Sequence, residues 1–232
     1  MPNLLVIFAK APIEGQVKTR LCPPLTLAQA TELARCFLVD TVERACALPE
    51  VQVYMAIIPA DSEAVFRALL PFPVKYIAQR GNSLGERELN IFLDLQQNEA
   101  SRIVLIGSDI PTLPTAHLQE AFAQLEDTHC DAVFGPSNDG GYYLVGMGEA
   151  HPALFKDITW STPTVMSETL AQARRHNLNI VLVPQWYDVD DAQDLQHLVA
   201  ELTRSGSSMR SPRRTRTALI RFGLCPHTVD ES

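Results

Sequence analysis

The first apolar run of the chain leads into Lys10-Ala11-Pro12-Ile13-Glu14-Gly15-Gln16-Val17-Lys18-Thr19-Arg20-Leu21. Pro12 and Gly15 keep this stretch from being helical, and Gly15 lets backbone approach a ligand closely. Lys10, Lys18 and Arg20 supply cationic donors, and an arginine can hold phosphate oxygens through two parallel hydrogen bonds. The chemistry suited to such a loop is the cradling of phosphate. It is not a Walker loop, because no Gly-Lys-Ser/Thr ending follows. A surface loop with solvated Lys and Arg would have the same composition.

Carboxylates stand at two later points. Arg102-Ile103-Val104-Leu105-Ile106-Gly107 is followed by Ser108-Asp109-Ile110-Pro111. An acid just beyond a buried strand can hold Mg²⁺ or Mn²⁺, since Mg²⁺ takes one or two carboxylates together with phosphate oxygens. The same Asp could simply cap a turn. Tyr187-Asp188-Val189-Asp190-Asp191-Ala192-Gln193-Asp194 follows the last apolar run. Asp191 and Asp194 fit a helix start, where acids are favoured. Asp188 and Asp190 alternate along an extended segment and so point the same way. Either can complete a metal site with Asp109, and Asp190 is the preferred second ligand.

Three further segments carry polar residues at turns. Asn138-Asp139-Gly140-Gly141-Tyr142 joins two apolar runs, with the Asp-Gly signal of a hairpin. Its glycines could equally bring backbone against a substrate, with Asp139 as a polar contact. Gly81-Asn82-Ser83-Leu84-Gly85-Glu86-Arg87 opens a helix, from which Arg87 could reach an anion. Trp160-Ser161-Thr162-Pro163 has the marks of a helix start with a packing Trp, and an acceptor pocket is the competing role. The six histidines form no cluster.

These residues need elements to position them. Apolar runs predict strands over 4–9, 51–58, 74–78, 103–107, 132–135, 142–145 and 180–183. Helical spacing predicts helices over 27–48, 62–70, 85–97, 115–126, 163–176 and 191–203. In the first of these, apolar residues including Leu33, Phe37 and Leu38 recur at three- and four-residue steps, and Asp40, Glu43 and Arg44 occupy another face. Strand–helix alternation predicts an α/β fold: one domain in three α/β/α layers, with a mixed, mostly parallel sheet. In such sheets ligands bind beyond the carboxyl ends of the strands, where the loops above lie.

Composition bounds the rest. The chain of 232 residues has ordinary globular proportions, 46% hydrophobic and 20% charged, and a net charge of −8. Residues 204–232 carry six arginines and two acids, so the body is more acidic than the total, which argues against a nucleic-acid partner. We expect residues 1–203 to be the folded domain and 204–232 a basic, solvated, flexible tail. No apolar run approaches about 20 residues, the length of a membrane span, and the start resembles a buried strand rather than a leader. The odd number of cysteines, without metal-type spacing, suggests free thiols and a cytoplasmic setting.

Phe-Ala-Lys-Ala-Pro at 8–12 with Gly15, Lys-Thr-Arg-Leu at 18–21, Gly-Ser-Asp-Ile-Pro at 107–111, Asp-Gly-Gly-Tyr-Tyr-Leu at 139–144, Trp-Ser-Thr at 160–162 and Asp-Val-Asp at 188–190 occur in order. As a set, over residues 3–203, they resemble the bacterial family of radical-SAM/selenodomain-associated transferases 1, also called arsenosugar biosynthesis glycosyltransferases. That family lies in the nucleotide-diphospho-sugar transferase superfamily of GT-A fold and is similar to 2-phospholactate and molybdenum-cofactor guanylyltransferases. The resemblance implies that Lys18 and Arg20 meet nucleotide phosphates and contribute to catalysis with Asp109. It implies a nucleotide site over Lys10, Ala11, Pro12, Gly15, Lys18, Arg20, Arg87 and Ser108, and Mg²⁺ or Mn²⁺ on Asp109 and Asp190. Asp139, Gly140, Gly141, Tyr142, Trp160 and Ser161 would line the acceptor side. The activity implied is glycosyl transfer from a nucleotide sugar to a small molecule. The basic loop and the Ser-Asp in place of Asp-X-Asp favour the alternative, nucleotidyl transfer from an NTP to a phosphorylated acceptor. A third reading is an inactive nucleotide-binding partner or sensor.

Overall fold

Strand β1 (Asn3–Lys10) is the apolar run that opens the chain, and it lies inside a seven-stranded sheet. Its side chains alternate, so Leu5 and Ile7 enter one core while Leu4 and Val6 enter another. That burial on both faces explains why the run is continuously apolar. The computed structural model describes residues 2–97, 102–205 and 212–226. The other strands are β2 (Val51–Ile58), β3 (Lys75–Ala78), β4 (Arg102–Gly107), β5 (Ala132–Pro136), β6 (Tyr142–Met147) and β7 (Ile180–Leu182). Their order is β3-β2-β1-β4-β6-β5-β7, and β6 is antiparallel to both its neighbours while the other pairings are parallel.

Helices cover both faces. α1 (Leu27–Cys46), α2 (Glu63–Leu69) and α4 (Thr115–Gln124) contribute Leu38, Val42, Phe66, Leu118 and Phe122 to the first core. α3 (Leu84–Gln96) and α5 (Val165–Arg175) contribute Ile91, Phe92, Met166 and Ala173 to the second. The expected α/β fold, a single three-layer domain on a mixed, mostly parallel sheet, is the one observed. Among the described residues no helix is long and apolar enough to cross a membrane. All five cysteines are free.

α6 (Ala192–Ser205) and α7 (Arg213–Arg221) form a third core with α1 and the loop after β1. Leu21, Leu33, Phe37, Val189, Leu198 and Leu219 meet there. This corrects the expectation of a solvated tail from residue 204. Thr215, Ala218 and Leu219 are buried, and the backbone N–H groups of Arg214 and Thr215 donate to the buried Asp40 carboxylate at 3.2 and 2.8 Å. Asp40 thereby satisfies donors at the start of α7 that have no partner within the helix. Arg216 Nη1 donates to the Leu202 carbonyl at 2.6 Å. The arginines of the segment are partly structural, which composition alone hides. Residues 206–211 and 227–232, with Arg210 of the expected tail, lie outside the described residues.

A second correction concerns α5. The Ser161-Thr162-Pro163 start is displaced, and the helix begins at Val165. Ser161 has φ 63°, and the Thr162 hydroxyl donates to the Thr159 carbonyl. The Gly140 carbonyl accepts from Met166 N–H at 2.9 Å, so the β5–β6 turn partners the first turn of α5.

Candidate functional site

The sheet brings the predicted segments to one edge. β1 and β4 run parallel with Phe8 opposite Gly107, so the Lys10–Leu21 loop and Ser108-Asp109 emerge side by side. β6 runs the other way, with Leu144 opposite Ile106, and its first residue, Tyr142, therefore lies at the same edge. Val189 N–H donates to the Asp109 carbonyl at 3.0 Å, which carries Asp188 and Asp190 to Asp109.

Lys18 stands at the centre. Its ammonium lies 2.7 Å from Asp109 Oδ2 and 2.6 Å from Asp190 Oδ1, and its side chain is only 7% exposed. Its backbone has φ 50° in the left-handed region, which costs a non-glycine residue roughly 1 kcal/mol. Burial lowers the Lys18 pKa, but the two carboxylates outweigh it and the net shift is upward. Burial likewise raises Asp190, and the charge and hydrogen bond of Lys18 turn the net shift downward. Asp188 is pushed up to about 7, first by burial and then by the neighbouring charge of Asp190. Ser137 Oγ donates to Asp188 at 3.1 Å.

A cavity of about 260 Å³ opens over this cluster, with Lys10, Pro12, Lys18, Arg20, Ser108, Asp109 and Asp190 in its wall. Lys10 Nζ donates to the Gln16 carbonyl, folding the loop back on itself. Arg20 is exposed, with Asp191 3.5 Å away. Gly15 has φ 75°, a conformation that favours glycine. Ala11 is packed in the core, and neither it nor Gly15 lines this cavity. Arg87 Nε donates to the Gly81 carbonyl, closing the loop before α3, and is likewise absent from the lining.

Asp109 and Asp190 share one cation, the Lys18 ammonium, and are the two carboxylates that could hold a divalent ion together if Lys18 turned to a phosphate. Mg²⁺ requires no more than one or two carboxylates when phosphate and water complete its shell. Among the described residues no group of three His, Cys, Asp or Glu side chains is placed to hold a metal. A site here would therefore depend on the ligand's own oxygens.

The turn residues expected at the acceptor side lie nearby with structural tasks visible. Asp139 Oδ1 accepts from Gly141 N–H at 2.9 Å, and a Cβ on Gly140 would meet the Pro163 carbonyl oxygen at 2.1 Å. Trp160 packs on Gly85, at the start of α3, and edge-on to Tyr142. Ser161 is exposed. Sequence reasoning missed Glu88. It lies on α3, is 7% exposed and accepts from the Tyr142 hydroxyl at 2.6 Å. An acid among the apolar residues of the helix's inward face, with Ile91 and Phe92, was the available signal. Arg44 was placed only on a helix face. It donates to the Leu113 and Pro111 carbonyls, fixing the segment after Asp109.

The fold is the GT-A fold of nucleotide-diphospho-sugar transferases. Residues 41–162 match the family described as "uncharacterized protein conserved in bacteria (DUF2064)", and the chain belongs to that family. A candidate nucleotide-diphospho-sugar transferase from Desulfovibrio desulfuricans G20 is 33% identical, with 97% of each chain covered and a TM-score of 0.87. The 4-diphosphocytidyl-2C-methyl-D-erythritol synthase of Anaerococcus prevotii DSM 20548 shares the fold at 10% identity, with 87% of this chain and 96% of that one covered and a TM-score of 0.56. Phosphoenolpyruvate guanylyltransferase of Mycolicibacterium gilvum (strain PYR-GCK) is 30% identical over 111 residues, 45% of this chain. The chain spans about half the length of that curated relative.

Proposed function

We propose that this protein is a divalent-metal-dependent nucleotidyltransferase that moves a nucleoside monophosphate from an NTP to a phosphorylated small molecule. The observation that carries this reading is the cavity whose wall holds Lys10, Lys18 and Arg20 together with Asp109 and Asp190. Three cations beside a carboxylate pair suit a polyphosphate and its metal better than a neutral ligand. Lys18 and Arg20 would donate to phosphate oxygens, and Lys10 would add charge at the rim. Asp109 and Asp190 would hold Mg²⁺ or Mn²⁺, which when bound neutralises charge building on the phosphates. An acceptor phosphate oxygen attacks the α-phosphorus, the bond to the β-phosphate bridging oxygen breaks, and pyrophosphate leaves with the electron pair. The attacking oxygen is already anionic, so no general base is needed. Positioning and charge stabilisation by Lys18 and Arg20 would then supply most of the catalysis. The partial likeness to a guanylyltransferase supports this reading, and the free cysteines support a cytoplasmic setting.

A second reading, glycosyl transfer from a nucleotide sugar, is favoured by the description of the Desulfovibrio relative and by the motif resemblance to arsenosugar glycosyltransferases. There the sugar–oxygen bond breaks and a nucleoside diphosphate leaves. The test offers NTPs and nucleotide sugars with Mg²⁺ or Mn²⁺ and a small-molecule cell extract, read by mass spectrometry. Extract-dependent pyrophosphate from an NTP is the expected result. Nucleoside diphosphate from a nucleotide sugar, without pyrophosphate, would replace the first reading with the second.

A further inference from the structure

Asp109 also borders a second cavity, of about 140 Å³, on the α3 side of the sheet. Phe8, Leu84, Leu105 and Val145 make its walls apolar, and Glu88 and Tyr142 place one polar pair in them. Asp188 belongs to the same wall. No Lys or Arg is among the lining residues, whereas the phosphate cavity has three. An anionic ligand group would thus meet three carboxyl groups and no cation, which burial makes costly. The size is near that of a cavity able to enclose a benzene ring, about 150 Å³.

The polar pair is held rigidly. The Tyr142 ring packs edge-on against Phe134, with centroids 5.0 Å apart, and against Trp160. Trp160 lies so close to Gly85 that a Cβ there would meet its ring at 2.1 Å, which fixes the start of α3. Tyr142 is the hydrogen-bond partner of the Glu88 carboxyl and engages Oε2, leaving Oε1 for a ligand. Burial pushes Glu88 up to about 8, so near neutral pH it is the acid form, able to donate as well as accept.

We propose that this cavity seats the body of the acceptor, a neutral ring-sized group bearing hydroxyls, and that Glu88 and Tyr142 recognise those hydroxyls. The inference rests on the transferase reading above and deepens it, for Asp109 lies in the wall of both cavities and the bond exchange would occur between them. It also sets the acceptor apart from a small carboxylate such as phosphoenolpyruvate, whose carboxylate would find no cation here.

The test needs no nucleotide. Saturation-transfer NMR on the full chain would use D-glucose and myo-inositol as neutral probes, benzoate as an anionic ring and guanosine as a nucleobase probe. At least one polyol should bind. Glu88→Gln, which keeps a donor and an acceptor, should hold affinity within about threefold, while Glu88→Met should lose about tenfold, the worth of one net hydrogen bond. Leu84→Trp should also block binding, and because Leu84 is 44% exposed this variant tests the cavity without burdening the core. The proposal is overturned if neither polyol binds at millimolar concentration, if Glu88→Met binds as wild type does, or if benzoate or guanosine binds in their place. Polyol binding by a wild-type protein that takes no nucleotide would instead overturn the transferase reading and leave the hydroxyl-recognising cavity standing.

Discussion

At the scale of single residues, two buried charges are handled in opposite ways. Lys18 keeps its charge because Asp109 and Asp190 offset the cost of burial. Glu88 has only the Tyr142 hydroxyl and is pushed toward its neutral form. The second case has a stability consequence of fixed sign. Its folded pKa, about 8, lies above the unfolded value near 4.3. Between these values the native state holds a proton that the unfolded state has lost, so stability falls as pH rises. The slope from this group approaches about 1.4 kcal/mol per pH unit. Tyr142, Tyr143, Asp109 and Asp188 line the same cavity, so the comparison must be internal. Wild type should lose stability relative to Glu88→Gln from pH 5 to pH 8 and then level off, as measured by urea unfolding. A constant difference across that range would show that Glu88 is ionised in the native protein.

At the scale of elements, the site is assembled by register. β1 and β4 end side by side, β6 begins there, and the Val189–Asp109 hydrogen bond brings in the last acidic segment. α7 supports this edge from below, since Leu219 shares a core with Leu21 and Val189, which flank Lys18 and Asp190 in sequence. Leu219→Ala should therefore cost about 2–5 kcal/mol in chemical denaturation, where a solvated tail would give no change. The seven strands and the helices α1 to α6 were legible from apolar runs and helical spacing, even where the elements are short, as in β3 and β7. α7 was not, because Thr215, Ala218 and Leu219 make a short apolar stripe among arginines whose charge dominates the composition. The same limit concealed Glu88. Periodicity identifies an inward face, but which inward acid meets a tyrosine from another strand depends on tertiary register. The converse held at Gly140, where the Asp-Gly hairpin signal was plain but its close approach to Pro163 was not.

At the scale of the molecule, two cavities of opposite character meet at one carboxylate. The first carries three cations and suits phosphates, the second joins apolar walls to Glu88, Tyr142 and Asp188 with no Lys or Arg in its lining, and Asp109 lies in both walls. The division of labour follows from the sheet: the loop after β1 supplies the cations, and α3 with β6 supplies the hydroxyl-recognising pair. The central claim is that Asp109 and Asp190 exchange the Lys18 ammonium for a divalent ion when a nucleotide arrives. Isothermal titration of GTP and CTP, with and without Mg²⁺, into wild type and Asp109→Asn tests it most directly, with thermal melting of the same samples as control. The account requires Mg²⁺-dependent binding of at least one nucleotide to wild type and its loss in Asp109→Asn, whose fold is retained. Undiminished Mg²⁺-dependent affinity in Asp109→Asn, together with a lowered melting point, would contradict it and make Asp109 a structural partner of Lys18 alone.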